Sequence, residues 1–486
     1  MLADDSTECF EFGRVAGHKV VASFDGGAIT SDAGALLLGH TDRALRLVDR
    51  LADCFVDSRR AELVEHLVPT LVGQRVFGLA LGYEDLNDHD QLRHDPLFAT
   101  LAGKLRARRK QCAAVAGKST LNRLELSKPE ATRYHRISYD APKLEALFVD
   151  LFLEAHTSPP AEIILDLDAT DDPLHGDQEG RFFHGYYGSY CYLPLYIFCG
   201  RHLLVAKLRR ANIDASAGAS EEVERLTTQI RARWPRVRIV LRADSGFARE
   251  GLMAWCEHNR VDYVFGLARN QRLTRAIAVQ MAEAAEENQQ TGKPARRFRD
   301  FPYRTQKSWS CQRRVIGKAE WIRPSLAERA DGTAPKAKVA KARVAKAIEE
   351  GRANPRFIVT SLSPDTHQGR ALYEKLYCAR GEMENRIKEC QLDLFADRTS
   401  SHSMRSNQLR LWFAAMAYVL MSGLRRIGLA ATSLADATCG TIRLKLLKIG
   451  ARITISVRRI KFSMASACPY TDVFRTAWAA LKSAAA

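Results

Sequence analysis

The chain has 486 residues, 46% of them hydrophobic and 27% charged, which is ample apolar sequence for a core divided over roughly two to four domains. It carries 73 Lys and Arg against 56 Asp and Glu, a net charge of +17, which favours a polyanionic partner over a neutral one. A membrane location is argued down by the longest apolar run, 411–424, which is too short for a ~30 Å hydrocarbon core and reads as a buried helix. The start, MLADDSTECFEF, is acidic and lacks the basic and apolar regions of a signal peptide. The 11 cysteines contain no Cys-x-x-Cys pair, which disfavours zinc and redox sites and points to reduced, packed thiols in the cytoplasm.

Residues 1–150 read as mainly helical after a short extended start at 20–24 that turns at Asp25-Gly26-Gly27. Ser31 or Asp32 is placed to cap the helix carrying Leu36, Leu37, Leu38, Ala44, Leu45 and Val48. Amphipathic stretches follow near 60–82, 97–109 and 119–126, with no internal repeat. Gly117-Lys118-Ser119-Thr120 resembles the end of a phosphate-binding loop. However, the glycine required five positions earlier is Cys112, and no buried strand precedes it. Ser119 or Thr120 is expected to cap the following helix instead.

The stretch 155–280 changes pattern. Strands are expected at 162–168 (EIILDLD), 190–199, 203–209, 237–243 and 261–268, with helices at 220–233 and 249–259. The order β-β-β-α-β-α-β makes the first three strands an antiparallel meander. Helical crossovers make the later strands parallel. This is the order of a ribonuclease-H-like α/β layer. Residues 292–360 then hold 18 Lys and Arg against 6 Asp and Glu, a net of +12. Their first part alternates like strands, 335–350 reads as a mobile or helical arm, and 356–361 returns to strand. A long helix is expected from about 368 to 394.

Asp166 and Asp168 lie two apart on one strand and so share a face, opposite Ile163, Leu165 and Leu167. Asp244 ends the fourth strand before Ser245-Gly246, and strand ends are where α/β folds build sites. Taken singly, such an Asp is more often a cap or turn residue. On the long helix, Tyr377, Arg380, Glu384, Lys388 and Gln391 fall within about 80° at ~100° per residue, beside an apolar stripe of Leu376, Met383, Ile387 and Leu394. Glu382 and Glu389 lie ~200° and ~140° from Glu384. Read plainly, this is a solvated salt-bridge face. Three carboxylates on two strands and a helix could instead hold two divalent metals ~3.5–4 Å apart, and all-oxygen ligands suit Mg²⁺ or Mn²⁺.

At these residues a family resemblance enters. LDLDAT, LRADSGFARE and YCARGEMENRIKE resemble the three signatures of DDE-type insertion-sequence transposases, most closely the family numbered thirteen-eighty of the IS-four-related group. FDGGAITSDAGALLL, GYEDLNDHDQLRHDP and YVFGLARN extend the resemblance over nearly the whole chain. It implies an N-terminal region, 1–150, that helps bind terminal inverted repeats. It also implies a ribonuclease-H-like catalytic core at 155–280 and 361–430, a basic β-rich insertion at 281–360 and a basic C-terminal region at 431–486. By position, Asp168, Asp244 and Glu384 match the three catalytic, metal-binding acids, with two Mg²⁺ or Mn²⁺ ions expected. Tyr377 and Arg380 match the Tyr-x2-Arg-x3-Glu-x6-Lys signature, but Gln391 stands where its lysine belongs, leaving Lys388 as a substitute phosphate contact. The implied partners are double-stranded DNA and a second copy in the DNA-end complex, with nucleoid association when bound. Trp309 or Trp321 could stack on a flipped base, or could equally be core tryptophans. His175, His184 and His402 are left open between DNA, metal and neither. The competing functions are a metal-dependent nuclease of the same fold without strand transfer and a non-catalytic DNA-binding derivative.

Overall fold

A computed structural model describes residues 8–104, 114–322 and 351–484. The arm expected at 335–350 lies outside them, as does the end of the helix expected at 97–109. The described chain opens with an exposed antiparallel hairpin, β1 (Cys9–Val15) and β2 (His18–Ser23), followed by the short β3 (Ile29–Thr30). Helices then dominate, among them α1 (Leu36–Leu45), α2 (Val68–Leu81) and α3 (Ala141–Glu154). The helix expected to run through Val48 breaks at Arg46, whose left-handed φ of 51° starts a second helix, Leu47–Ala52.

Two expected caps are corrected. Asp32 precedes a single 3₁₀ turn without capping it, because its carboxylate takes the Tyr83 hydroxyl at 2.7 Å and the Lys448 ammonium at 2.7 Å. Ser119 and Thr120 lie inside helix Lys118–Glu125, whose cap residue is Gly117, and the Lys118 amide donates to Asp90 Oδ1 at 3.0 Å.

The α/β layer is built on a large mixed sheet. Its strands are β4 (Glu162–Ala169), β5 (Leu195–Cys199), β6 (His202–Lys207), β7 (Arg238–Ala243), β8 (Asp262–Leu267), β9 (Ala295–Tyr303), β10 (Arg313–Ile322), β11 (Arg352–Ala353) and β12 (Arg356–Thr360). They lie in the order β6-β5-β4-β7-β8-β12-β10-β9, with β11 beside β10. β4, β5 and β6 form the expected antiparallel meander, and β4, β7 and β8 run parallel through the crossover helices α4 (Ala219–Arg233) and α5 (Glu250–His258). The single strand expected at 190–199 is two. Pro194 has no N–H for the ladder, so Ser189–Tyr192 joins a small separate sheet and β5 starts at Leu195.

The strands of the basic segment do not stand apart as a unit. β12 pairs antiparallel with β8, and β10 and β9 follow, so the same sheet continues outward, covered by α6 (Ala278–Thr291). Alternation along β4 works as expected. Leu165 and Leu167 pack with Val223, Leu226 and Ile230 of α4 and Leu252 of α5, while Asp166 and Asp168 face the other side. That side is covered by a helical run from Gly369 to Asp393, whose regular α-helical part is α7 (Gly381–Lys388), and by α8 (Met404–Gly423), which is buried along most of its length. α8 contains most of the apolar run 411–424, and among the described residues no helix is long and apolar enough to cross a membrane. The described chain closes with a hairpin, β13 (Ala451–Ile455) and β14 (Ile460–Met464), and α9 (Thr471–Ala484).

Candidate active site

The register of two neighbouring parallel strands places the first two acids. Leu167 of β4 pairs with Ala243 of β7, so Asp168 and Asp244 follow side by side as the strands end. Asp166, which shares the face of Asp168, is spent elsewhere. It is buried and takes Arg242 bidentately, Nε to Oδ1 at 2.5 Å and Nη2 to Oδ2 at 2.8 Å. Arg242 Nη1 also donates to the Leu376 carbonyl at 2.6 Å. This charge-assisted clamp ties two strands to the helical run and leaves Asp166 no free oxygen for chemistry.

Asp168 is committed at one oxygen only: Oδ1 accepts from the Ala169 amide at 3.0 Å. Its side chain is 17% exposed, and burial, with Asp244 and Glu384 adding repulsion, pushes its carboxyl up to about 6 against the opposing pull of Arg380. Asp244 Oδ1 accepts from the Gly246 amide at 2.8 Å, and the carboxylate enters no ion pair among the described residues. Glu384 lies in the first turn of α7. Arg380 Nη2 donates to Glu384 Oε1 at 2.9 Å, while its Nη1 lies 3.7 Å from Asp168 Oδ2. One guanidinium therefore bridges the first and third acids. Tyr377 completes the group: a Cβ added at Gly266 of β8 would lie 2.6 Å from the Tyr377 hydroxyl and 2.8 Å from the Ser245 amide. The missing side chain at Gly266 leaves room for that hydroxyl on one side and for the backbone of Asp244 and Ser245 on the other.

Five expected residues, Asp168, Asp244, Glu384, Tyr377 and Arg380, thus meet at one place. Lys388 is exposed one turn beyond Glu384 and carries no ion pair among the described residues. Gln391 does not reach outward, because it lies in a π-helical turn, Glu389–Asp393, and its Nε2 donates to the Asp171 carbonyl at 3.0 Å. Glu389 is buried among Arg386, Arg425 (3.1 Å) and the Cys439 amide (2.9 Å), a structural role. Trp309 is a core residue, 5% exposed, packed edge-on against Tyr303 and under Arg313, so it is not free to stack on a base. Trp321 is partly exposed and lines a groove with Arg269, Arg275 and Met281. Of the histidines, His402 donates through Nδ1 to the Asp177 carbonyl at 2.8 Å, His184 lies against the Tyr187 ring, and His175 is exposed; none joins the acids.

Other neighbours of the acids do not stand out in the sequence. The Tyr187 hydroxyl reaches the Ala169 carbonyl at 3.4 Å, and the charges of Asp171 and Asp168 add to burial in raising it. Asp172 is buried against the Thr399 hydroxyl at 2.8 Å and is held well above the usual carboxylate range by burial. An aromatic-rich loop and a glycine inside a buried strand are the only signals for Tyr187 and Gly266.

Residues 12–330 and 337–486 match the family model described as transposase DDE domain group 1. The chain belongs to the DDE transposase family. No curated protein matches this family member. Among solved structures, it is similar to a piggyBac transposase in a synaptic complex with hairpin DNA, at 10% identity and a TM-score of 0.39, over 85% of this chain and 79% of that one.

The donor set of this candidate site consists of carboxylate oxygens on two strand ends and a helix, which is the chemistry hard divalent cations take. No three such groups close around a single point among the described residues; Arg380 lies between two of them and supplies the positive charge.

Proposed function

We propose that the protein is the transposase of a bacterial insertion sequence: it binds terminal inverted repeats with the help of its N-terminal region, and its ribonuclease-H-like core cuts DNA at them and joins the ends to a target. The observation that carries this reading is the side-by-side placement of Asp168 and Asp244 with Glu384 tied to Asp168 through Arg380. Asp168, Asp244 and Glu384 would hold two Mg²⁺ or Mn²⁺ ions. When bound, the metals supply activation of a water or 3′-hydroxyl and stabilisation of the leaving oxygen in in-line phosphoryl transfer.

The chain's own groups have separate tasks. Asp168 and Asp244 are each fixed by one backbone hydrogen bond to Oδ1; the second oxygen of Asp168 faces Arg380, and that of Asp244 enters no ion pair among the described residues. Arg380 positions Glu384 and offsets the repulsion among the acids. Tyr377 sets its hydroxyl in the space left by Gly266, beside the strand end that carries Asp244. Lys388, exposed one turn beyond Glu384, would meet a DNA phosphate in place of the signature lysine. The protein is expected to act as a homodimer on paired DNA ends.

The test is cleavage of an end-bearing duplex in Mg²⁺, Mn²⁺, Ca²⁺ or chelator. Cleavage and strand-transfer products in Mg²⁺ or Mn²⁺ alone are expected. Full activity in excess chelator would sink the reading, and cleavage without joined products would reduce it to a nuclease.

A further inference from the structure

Between Asp436 and Asp472 the chain has no acidic residue, but it has seven cations: Arg443, Lys445, Lys448, Arg452, Arg458, Arg459 and Lys461. The fold separates them into two groups. Arg443 is turned inward and donates to the carbonyls of Ala80 (2.9 Å) and Asp393; Lys448 pairs with Asp32; Lys445 sits over the Tyr470 ring at 5.6 Å. Arg443 and Lys448 hold the C-terminal region onto the rest of the molecule, and Lys445 is spent within it. The other four lie on the hairpin β13–β14 and its turn, exposed, and make no ion pair or ring contact among the described residues.

The alternation of the hairpin explains the difference. Ala451, Ile453, Phe462 and Met464 face the body of the protein, and Phe462 packs on its main core. The opposite face carries Arg452 opposite Ser463, Thr454 opposite Lys461, and Ser456 and Arg459 at the turn, where the Ser456 amide donates to the Arg459 carbonyl at 2.8 Å. These six residues line one shallow groove. β13 also pairs with β3, so the ribbon is braced rather than free-standing. The groove therefore offers three cations and three hydroxyls with no acid, and the exposed Ile29 of β3, opposite Arg452, is a large apolar side chain at its edge. Desolvating it against another protein copy would bury unpaired charge. Phosphates satisfy both its charge and its hydroxyl donors.

We propose that this ribbon face is a second DNA-backbone site, apart from the acids, that grips duplex DNA through Arg452, Arg459 and Lys461. The proposal rests on the transposase reading above and adds where the duplex is held. The contrast with the insertion strands supports it. There, Arg296, Arg297, Arg313, Arg314 and Lys318 are consumed by ion pairs with neighbouring acids and Arg299 donates to the Ala276 carbonyl, which leaves Arg352 and Arg356 as the strand cations with neither among the described residues.

The experiment is fluorescence anisotropy on end-bearing and unrelated duplexes from 50 to 300 mM salt, comparing the wild-type chain with R452Q/R459Q/K461Q, R452K/R459K and T454E. The triple variant should bind both duplexes about tenfold or more weakly at physiological salt. Its log–log salt slope should be shallower by about 0.9 for each phosphate that is no longer neutralised. R452K/R459K should stay near wild type, and T454E, which adds an acid to the same face, should weaken binding. All four substituted positions are exposed, so the melting temperature should not move. Unchanged affinity and slope in the triple variant, with the wild type binding, would overturn the ribbon site alone. A drop in solution mass with unchanged DNA affinity would reassign the face to an interface between copies and overturn it too. A wild-type chain that binds no duplex at all would overturn the transposase reading and the ribbon site together.

Discussion

Asp166 and Asp168 differ by one step of strand geometry and by nearly everything in role. Their shared face is legible in the sequence, because strand side chains alternate. Which of them is consumed by Arg242 is not, since that partner lies on a different strand. Burial raises Asp168 to about 6, so at neutral pH the folded, metal-free protein holds an ionised carboxylate that folding disfavours. The penalty is absent below the unfolded value near 4 and complete above about 6. D168N is therefore expected to raise the metal-free melting temperature at pH 8, with the gain fading between pH 6 and 4. Mg²⁺ should stabilise the wild type and not D168N. Thermal melts with and without metal at three pH values check both. Among the candidate acids, D168N, D244N and E384Q should abolish cleavage while leaving repeat binding nearly intact, and E382Q should retain both. Parallel gel-shift and cleavage assays decide this, and near-normal cleavage by E384Q would remove Glu384 from the site.

The helical run at 369–393 shows where periodic reasoning stops. A single uniform period gathers Tyr377, Arg380, Glu384, Lys388 and Gln391 onto one face. The run itself passes through a π-helical segment, Leu372–Tyr377, a 3₁₀ turn, Cys378–Arg380, the regular α7 and a second π segment. Within α7 the phase holds: Met383 and Ile387 are buried and Arg380 meets Glu384 at i,i+4. Across the π turns it slips, which carries Gln391 to the Asp171 carbonyl. Glu389, in the second π segment, is turned inward instead. Its ion pair with Arg425 is buried on both sides, so E389Q leaves an under-compensated guanidinium and should cost about 2 kcal/mol. A lower melting temperature with cleavage retained at permissive temperature is the expected pattern. G266A should act the other way, with cleavage falling because Tyr377 is displaced, as measured by turnover on a fixed duplex.

At the scale of the molecule, the β-β-β-α-β-α-β order is legible because each strand announces itself by β-branched runs and each crossover by helical spacing. The fate of the basic segment is not, because the pairing of β12 with β8 joins residues as far apart in sequence as Val264 and Thr360, which no local pattern encodes. Charge is likewise misleading as a bulk quantity: the +12 of 292–360 includes cations already matched by Glu250, Glu257, Glu283 and Glu287 from flanking helices. R313Q is therefore expected to behave as a stability variant, since Arg313 is buried between Glu250 and Glu257. Its salt slope for duplex binding should match the wild type. A shallower slope would return Arg313 to the DNA-contacting set.

The interleaving of β8 with β12 also sets a timetable. During synthesis, Asp168 and Asp244 leave the ribosome first, on strands whose outer edge at β8 stays unpaired until β12 arrives. Glu384 follows only after that edge is closed. On the proposed mechanism, a nascent or prematurely terminated chain that ends between Asp244 and Glu384 therefore holds two of the three acids and cannot cut, so the gene's own neighbourhood is spared until translation has passed the helical run at 369–393.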